Sequence, residues 1–338
     1  MRVLVTGATG FVARHLIPAL QRHGHSVRGL VQPAADAHGL ETGGVQVFRG
    51  DVRDLVALAP AMKGVDAVIH LAAAIGVKYP MDYYVAVNVN GTANVCRAAL
   101  AAGTGRLVHV SSTSVYRQGV GSPVTEDAPL APMPDPYPVT KAAGDKLVQK
   151  MMRHDHLPAC IVRTGTIYGP GDGLNFGRIA DRLLARRAIV VGRGTNAVPF
   201  TYVADVVEGL VLALENPHAA GRIYNITDDR PATQEEILQA IAAGVGAVPP
   251  RVHVSYSLLY GAAYLAEGLA VITRSTHPAV TRFGVALYGA DNRFAIERAR
   301  RELGYEPRVP LHEGVRLTAA WYRQGRVTPE ISRELATR

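Results

Sequence analysis

The sequence predicts an α/β protein: a doubly wound parallel sheet with a smaller C-terminal α+β domain. Three observations predict it. A β-branched run, Arg2 to Thr6, meets a glycine turn and then apolar residues at helical spacing. Five more short apolar runs follow, alternating with helical stretches, and strand–helix alternation of this kind builds a parallel sheet. With 338 residues, 48% apolar and 19% charged, the chain is long and apolar enough for one large or two modest domains that share a core.

Residues 2–6 are the first strand, and Gly7-Ala8-Thr9-Gly10-Phe11-Val12-Ala13 is the turn into a helix whose apolar face carries Leu16, Ile17 and Leu20. Glycines at 7 and 10 permit a tight turn and close approach of backbone to a ligand, while Ala13 keeps the helix near the strand. The free N–H groups and positive end of such a helix suit a pyrophosphate, so this turn reads as a dinucleotide site. The second strand, His25 to Val31, ends at Gln32, where an acid would bind a ribose 2′-hydroxyl and an arginine a 2′-phosphate. With neither present, and with Arg14 and Arg28 nearby in sequence, both NAD and NADP stay open.

Val45 to Phe48 is a third strand leading to Asp51, which reads as an adenine contact or as the cap of a helix begun at Arg53. Asp66 to Ala73 is a fourth. It ends in small residues against which a flat ring can lie, and His70 within it reads as a satisfied core histidine. A helix over Met81 to Ala101 carries Asn88, Asn90 and Thr92, which need partners wherever they face inward. The fifth strand, Arg106 to Val110, delivers Ser111-Ser112-Thr113-Ser114 to the carboxyl edge, where ligands of such sheets bind. Val115 to Asp135 forms a long loop over that edge, and Ala159 to Arg163 is the sixth strand.

Between them lies Tyr137-Pro138-Val139-Thr140-Lys141. A phenol and an ammonium four residues apart share one helix face, and Pro138 places them in a first turn. A fixed positive charge nearby draws a phenol's pKa down from about 10, toward the range where it can exchange protons.

Farther on, the spacing predicts helices over Tyr202–Glu215, Glu297–Leu303 and Leu311–Tyr322, then a polar tail over 326–338. The division expected is 1–170 with 198–227 as the dinucleotide-binding domain, and 171–197 with 228–325 as the substrate domain. Ser255 to Thr273 is mostly apolar but is interrupted by Glu267 and two glycines, which argues against a membrane span. Three readings of it stand: a buried helix, a lid over a greasy pocket, or an interfacial anchor making peripheral membrane contact.

Composition excludes other classes. Cys96 and Cys160 show neither disulfide nor metal-ligand spacing, and the 12 histidines form no ligand cluster, so no metal is expected. Met1 runs straight into the first strand, which leaves no room for a signal sequence and predicts a cytoplasmic protein. The net charge of +8 comes from scattered arginines without a basic run, so nucleic acid is not an expected partner.

The motifs Thr6-Gly7-Ala8-Thr9-Gly10-Phe11, Asp51-Val52, His70-Leu71-Ala72-Ala73, Asn88-Val89-Asn90-Gly91-Thr92, Val110 to Tyr116, Tyr137 to Lys141, Ile167 to Asp172 and Leu303 to Pro307 run in one order along nearly the whole chain. In that order they resemble the extended short-chain dehydrogenase/reductase superfamily, with its Rossmann fold. The resemblance implies that Tyr137 is the general acid/base, that Ser112 bonds the reacting oxygen, and that Lys141 holds the nicotinamide ribose. It implies cofactor contacts at Gly7, Thr9, Gly10, Phe11, Val12, Gln32, Asp51, Val52, Leu71, Ala72, Ala73, Asn88, Val110, Thr164 and Ile167. Ser114, Thr166 and Tyr202 are implied on the substrate side. Ala13 replaces a third glycine, and Thr164 stands where many members carry proline.

Gly192 to Val207 and Arg222 to Asp228 are similar to the 3β-hydroxysteroid and sterol-4-carboxylate dehydrogenase branch. Nucleotide-sugar epimerases and dehydratases usually carry an Asn and an Arg-Asp-Phe where this chain has Thr166 and Val198-Pro199-Phe200. The resemblance therefore implies a homodimeric oxidoreductase that uses NAD, or less readily NADP, on a secondary alcohol or ketone of a bulky apolar substrate. A nucleotide-sugar epimerase/dehydratase and a non-catalytic NAD(P)-binding sensor are the alternatives.

Overall fold

The fold is described from a computed structural model covering residues 1–76, 79–273 and 280–336. Seven parallel strands form the central sheet: β1 (Arg2–Thr6), β2 (Ser26–Val31), β3 (Gln46–Arg49), β4 (Ala67–His70), β5 (Arg106–Ser112), β6 (Ala159–Thr164) and β7 (Ile223–Ile226). Their order is β7-β6-β5-β4-β1-β2-β3. The six expected strands are all present. β7, which follows the returning helix, adds a seventh with Ile223 beside Ile161 and Ile226 beside Thr164.

Strand order reverses between β1 and β4, and a crevice opens there beyond the carboxyl ends, the general position of ligands in such sheets. Register brings those ends level, with Thr6 opposite His70, His70 opposite His109 and Ser112 opposite Thr164. The strands read as continuous apolar runs because both sheet faces are covered. One face packs under helices Phe11–Arg22 and Val203–Glu215, around Leu16, Leu20, Val206 and Leu210. The other packs under Leu55–Met62, Thr92–Ala101 and Pro136–His154, around Leu58, Val95, Cys96 and Val148.

Three elements differ from expectation. The helix over Met81–Ala101 is not uniform: Val85–Gly91 is a π-turn between α-helical segments, and it carries Asn88. Such turns are rare and tend to mark functional positions. Tyr256–Ile272 is a helix but not a buried one. Only its Leu259 and Ala263 edge packs inward, toward Val191 and Val285, while Leu258, Leu265 and Ile272 are 68%, 73% and 81% exposed. The last helix spans Leu311–Ala336, so the backbone of the expected polar tail is helical as far as Ala336, in keeping with its Arg, Gln and Glu content. No helix among the described residues is long and apolar enough to cross a membrane.

Candidate active site

A cleft of about 850 Å³ lies over the carboxyl ends of β1, β4, β5 and β6. Its floor at the β1 end is the glycine turn. Gly7 sits at φ +69°, and a Cβ there would stand 3.0 Å from the backbone of Ala72, so this crossing of β1 and β4 tolerates no side chain. Gly10 is the N-cap of helix Phe11–Arg22. It offers no side chain to cap the helix, and the first turn holds no acid. The N–H groups of that turn are therefore free to bind an anion, with Phe11, Val12 and Ala13 lining the cleft beside them. This donor set fits a dinucleotide pyrophosphate. Leu71, Ala73, Val110, Thr164 and Ile167 line the neighbouring wall, as expected of a cofactor site.

Asp135 is the N-cap that starts helix Pro136–His154 by accepting from the Tyr137 amide at 3.2 Å. With Pro136 at the first helical position and Pro138 still in the first turn, neither proline breaks a bond. Tyr137 and Lys141 then both face the cleft, as does Ser112 at the end of β5. Withdrawal from water pushes the Tyr137 phenol above its ordinary value, and a hydrogen bond with the Ser112 side chain pulls it down. Phenol and hydroxyl thus lie close enough for one to act on the other, on the same wall of the cleft.

The Lys141 ammonium donates to the Val110 carbonyl at 2.7 Å. Four residues apart on a helix is close in sequence terms, but a long side chain picks its own partner, and a buried ammonium needs an acceptor. Burial lowers the Lys141 pKa to about 8, with the carboxylate of Asp145 opposing that shift.

The consequence for stability has a definite sign. Below pH 8 the folded protein must keep a desolvated ammonium that the unfolded chain solvates freely, and this cost fades as pH rises from about 8 to the ordinary 10.5. The unfolding free energy of wild type relative to Lys141→Met should therefore grow across that window, by about 3 kcal/mol. Urea titrations of both proteins from pH 7 to 11 measure it, and a constant difference refutes the assignment.

Asn88 does not line the cleft but works one layer behind it. Its side chain accepts from the Ala74 amide at 2.8 Å and donates to the Ala74 carbonyl at 3.1 Å and to Thr140 Oγ1 at 3.0 Å. The π-turn brings this amide to the segment after β4 and joins it to the turn that carries Tyr137. Gly144 allows the approach, since a Cβ there would lie 2.5 Å from the Asn88 carbonyl. His70 is a satisfied core group, as read from the sequence: Nδ1 pairs with Thr6 Oγ1 at 2.7 Å and Nε2 with Thr92 Oγ1 at 3.0 Å.

A model of the NAD dependent epimerase/dehydratase family matches residues 3–227. The chain belongs to this family. It is accordingly an NAD-dependent dehydrogenase/reductase of the extended short-chain type. The chain is 34% identical to a 2-alkyl-3-oxoalkanoate reductase of Stenotrophomonas maltophilia, over 94% of this chain and 98% of that one. It is 31% identical to 3beta-hydroxysteroid-dehydrogenase/decarboxylase isoform 1 of Arabidopsis thaliana, over 93% and 78% respectively. Among solved structures it is similar to a UDP-glucuronic acid 4-epimerase from Bacillus cereus in complex with NAD, with a TM-score of 0.75, 27% identity and coverage of 96% and 99%.

Several of the residues expected at the site are not among those that line the cleft. Tyr202 packs in the core, its ring 5.5 Å from that of Tyr168, and does not reach the cleft. Gly314 is pressed against it and leaves it no room to turn. Asp51 holds Arg53 through both carboxylate oxygens, at 2.9 and 2.8 Å, and the helix that follows is capped by Asp54. Val52 is buried beneath Gly91, and Ala72 gives its amide to Thr6 Oγ1. Gln32 is exposed at the end of β2, and Thr9 accepts from Arg14 Nε through its carbonyl. Arg28 is spent on Gln46, Ala61 and Lys63, which leaves Arg14 as the helper near the turn.

Ser114 and Thr166 do line the cleft, and the Ser114 hydroxyl is buried without a partner among the described residues. Sequence reasoning missed the opposite wall. Thr281, Phe283, Gly284 and Tyr288 face the cleft from helix Arg282–Gly289 and its cap, with the Phe283 ring 6.5 Å from that of Tyr137. The one signal for it was the short amphipathic run Arg282 to Gly289.

Proposed function

We propose that this oxidoreductase interconverts a secondary alcohol and a ketone on a bulky, largely apolar substrate, by a Ser-Tyr-Lys mechanism. The observation that carries the reading is that Ser112, Tyr137 and Lys141, from a strand end and a helix start, all line one large cleft beside the glycine turn. Bound NAD supplies hydride acceptance or, when reduced, donation. The glycine turn and the free N–H groups of helix Phe11–Arg22 would hold its pyrophosphate. Lys141 would hold its nicotinamide ribose.

In the reductive direction Tyr137 gives its proton to the substrate oxygen while the Ser112 hydroxyl bonds that oxygen and steadies the developing charge. In the oxidative direction the phenolate takes the hydroxyl proton. Burial favours the protonated phenol, the form that reduction needs. Ser114, whose hydroxyl has no partner among the described residues, would orient the substrate. Leu259, Val280, Phe283, Val285 and Leu287 supply an apolar wall suited to a steroid-like or long-chain β-hydroxy or β-keto compound.

The names of two relatives support the same class: one reduces a 2-alkyl-3-oxoalkanoate and the other is a hydroxysteroid dehydrogenase. A nucleotide sugar is less well served, because Val198-Pro199-Phe200 stands where a diphosphate partner is usual and all three lie inside the fold. The test is a panel of 3-hydroxysteroids, β-hydroxyacyl and β-ketoacyl compounds and UDP-sugars, followed at the nicotinamide absorbance with NAD and NADP. Turnover confined to the first classes is expected. Micromolar binding and turnover of a UDP-sugar overturns the reading.

A further inference from the structure

The substrate wall is not apolar throughout. Helix Phe176–Leu184 places Arg178 and Arg182 four residues apart on one face, and both line the cleft. Tyr288 forms the adjoining wall of the same cleft, and both arginines are solvent-exposed there. Neither guanidinium has an ion pair or hydrogen bond among the described residues. Like charges at this spacing oppose helix formation.

The acids on the same helix or at its start are engaged elsewhere. Asp172 accepts from the amides of Leu174, Asn175 and Phe176, and Asp181 bonds the Tyr322 hydroxyl. The neighbouring polar groups are also satisfied. Gln234 accepts from the Val191 amide and donates to the Tyr288 carbonyl, and Tyr288 donates to Asn175. Two cations without a counter-ion, in a cleft whose other walls are largely apolar, form a receptor for an anion.

We propose that Arg178 and Arg182 form an anion subsite, so that the substrate is amphipathic: an apolar body carrying a carboxylate or a phosphate. This rests on the reading of the cleft as the substrate site, and it narrows the substrate class. Paired guanidinia recognise either oxyanion through several N–H donors at once. The carboxylate would belong to a free acid, and the phosphate to a nucleotide-type carrier.

The experiment separates this from the redox reading by measuring binding rather than turnover. Octanoate, octyl phosphate and octanol are titrated calorimetrically into wild type and into Arg178→Gln/Arg182→Gln, each saturated with NAD. Wild type should bind at least one of the two anions tenfold or more tightly than octanol. That preference should fall below twofold in the double variant, with octanol affinity unchanged. Added salt should weaken anion binding alone. The preferred anion names the source. No preference in wild type, or one that survives the double substitution, overturns the subsite. A chain that turns over no alcohol yet keeps the preference would sink the redox reading and leave the subsite standing.

Discussion

Tyr137→Phe is expected to lower turnover by at least 10²–10⁴-fold, the contribution typical of a positioned proton donor. The variant keeps the ring that packs near Phe283 and loses only the phenol oxygen, so folding and NAD affinity should stay close to wild type. Steady-state rates in both directions, beside NAD titrations of the two proteins, measure the split. The loss should appear in kcat and in kcat/KM alike, because the interaction is made in the transition state rather than in substrate binding. Turnover within tenfold of wild type would falsify the mechanism and leave the cleft as a binding site.

Asp145→Ala is expected to lower the unfolding free energy by about 3–5 kcal/mol, the usual result of stranding one charge of a buried pair. The Asp145 carboxylate accepts from Arg163 Nε and Nη2, each at 2.9 Å, from Ser111 Oγ at 2.7 Å and from Gln149 Nε2 at 2.7 Å. All of this lies directly behind the strand end that carries Ser112. Arg163 is essentially without solvent contact and is also bonded to the Tyr116 hydroxyl and the Glu126 carbonyl, so it has nowhere to take its charge. Urea denaturation checks the single variant. The double variant Asp145→Leu/Arg163→Met tests the cause, since removing both charges should recover most of the loss. A single-variant loss under 1 kcal/mol, or a double variant no better than the single, would contradict it.

The two expected effects fall on features of unequal legibility. The proposed proton donor was visible in the sequence because spacing places Tyr137 and Lys141 on one helix face and the prolines locate its first turn. Nothing in the sequence tied Asp145 to Arg163, which lie on a helix and a strand that meet only after folding. Asp51 shows the same limit from the other side. The sequence offered it as an adenine contact or a helix cap; the capping falls to Asp54, and Asp51 pairs with Arg53, a choice settled by backbone geometry over three residues. Tyr202 failed as a substrate contact because its surroundings, Tyr168 and Gly314, come from segments far from it in the chain.

By itself the sequence determined the sheet, the glycine turn and the identity of the reactive groups, because strand runs, helix starts and four-residue spacings are local and each follows from a few adjacent side chains. Tertiary structure alone decided which acceptor Lys141 reaches, that a π-turn carries Asn88 to Ala74, that Phe283 closes on Tyr137, and that two arginines face the cleft without a counter-ion among the described residues. Those are facts about distance between remote segments, and a chain's order carries no distance until its apolar faces have packed.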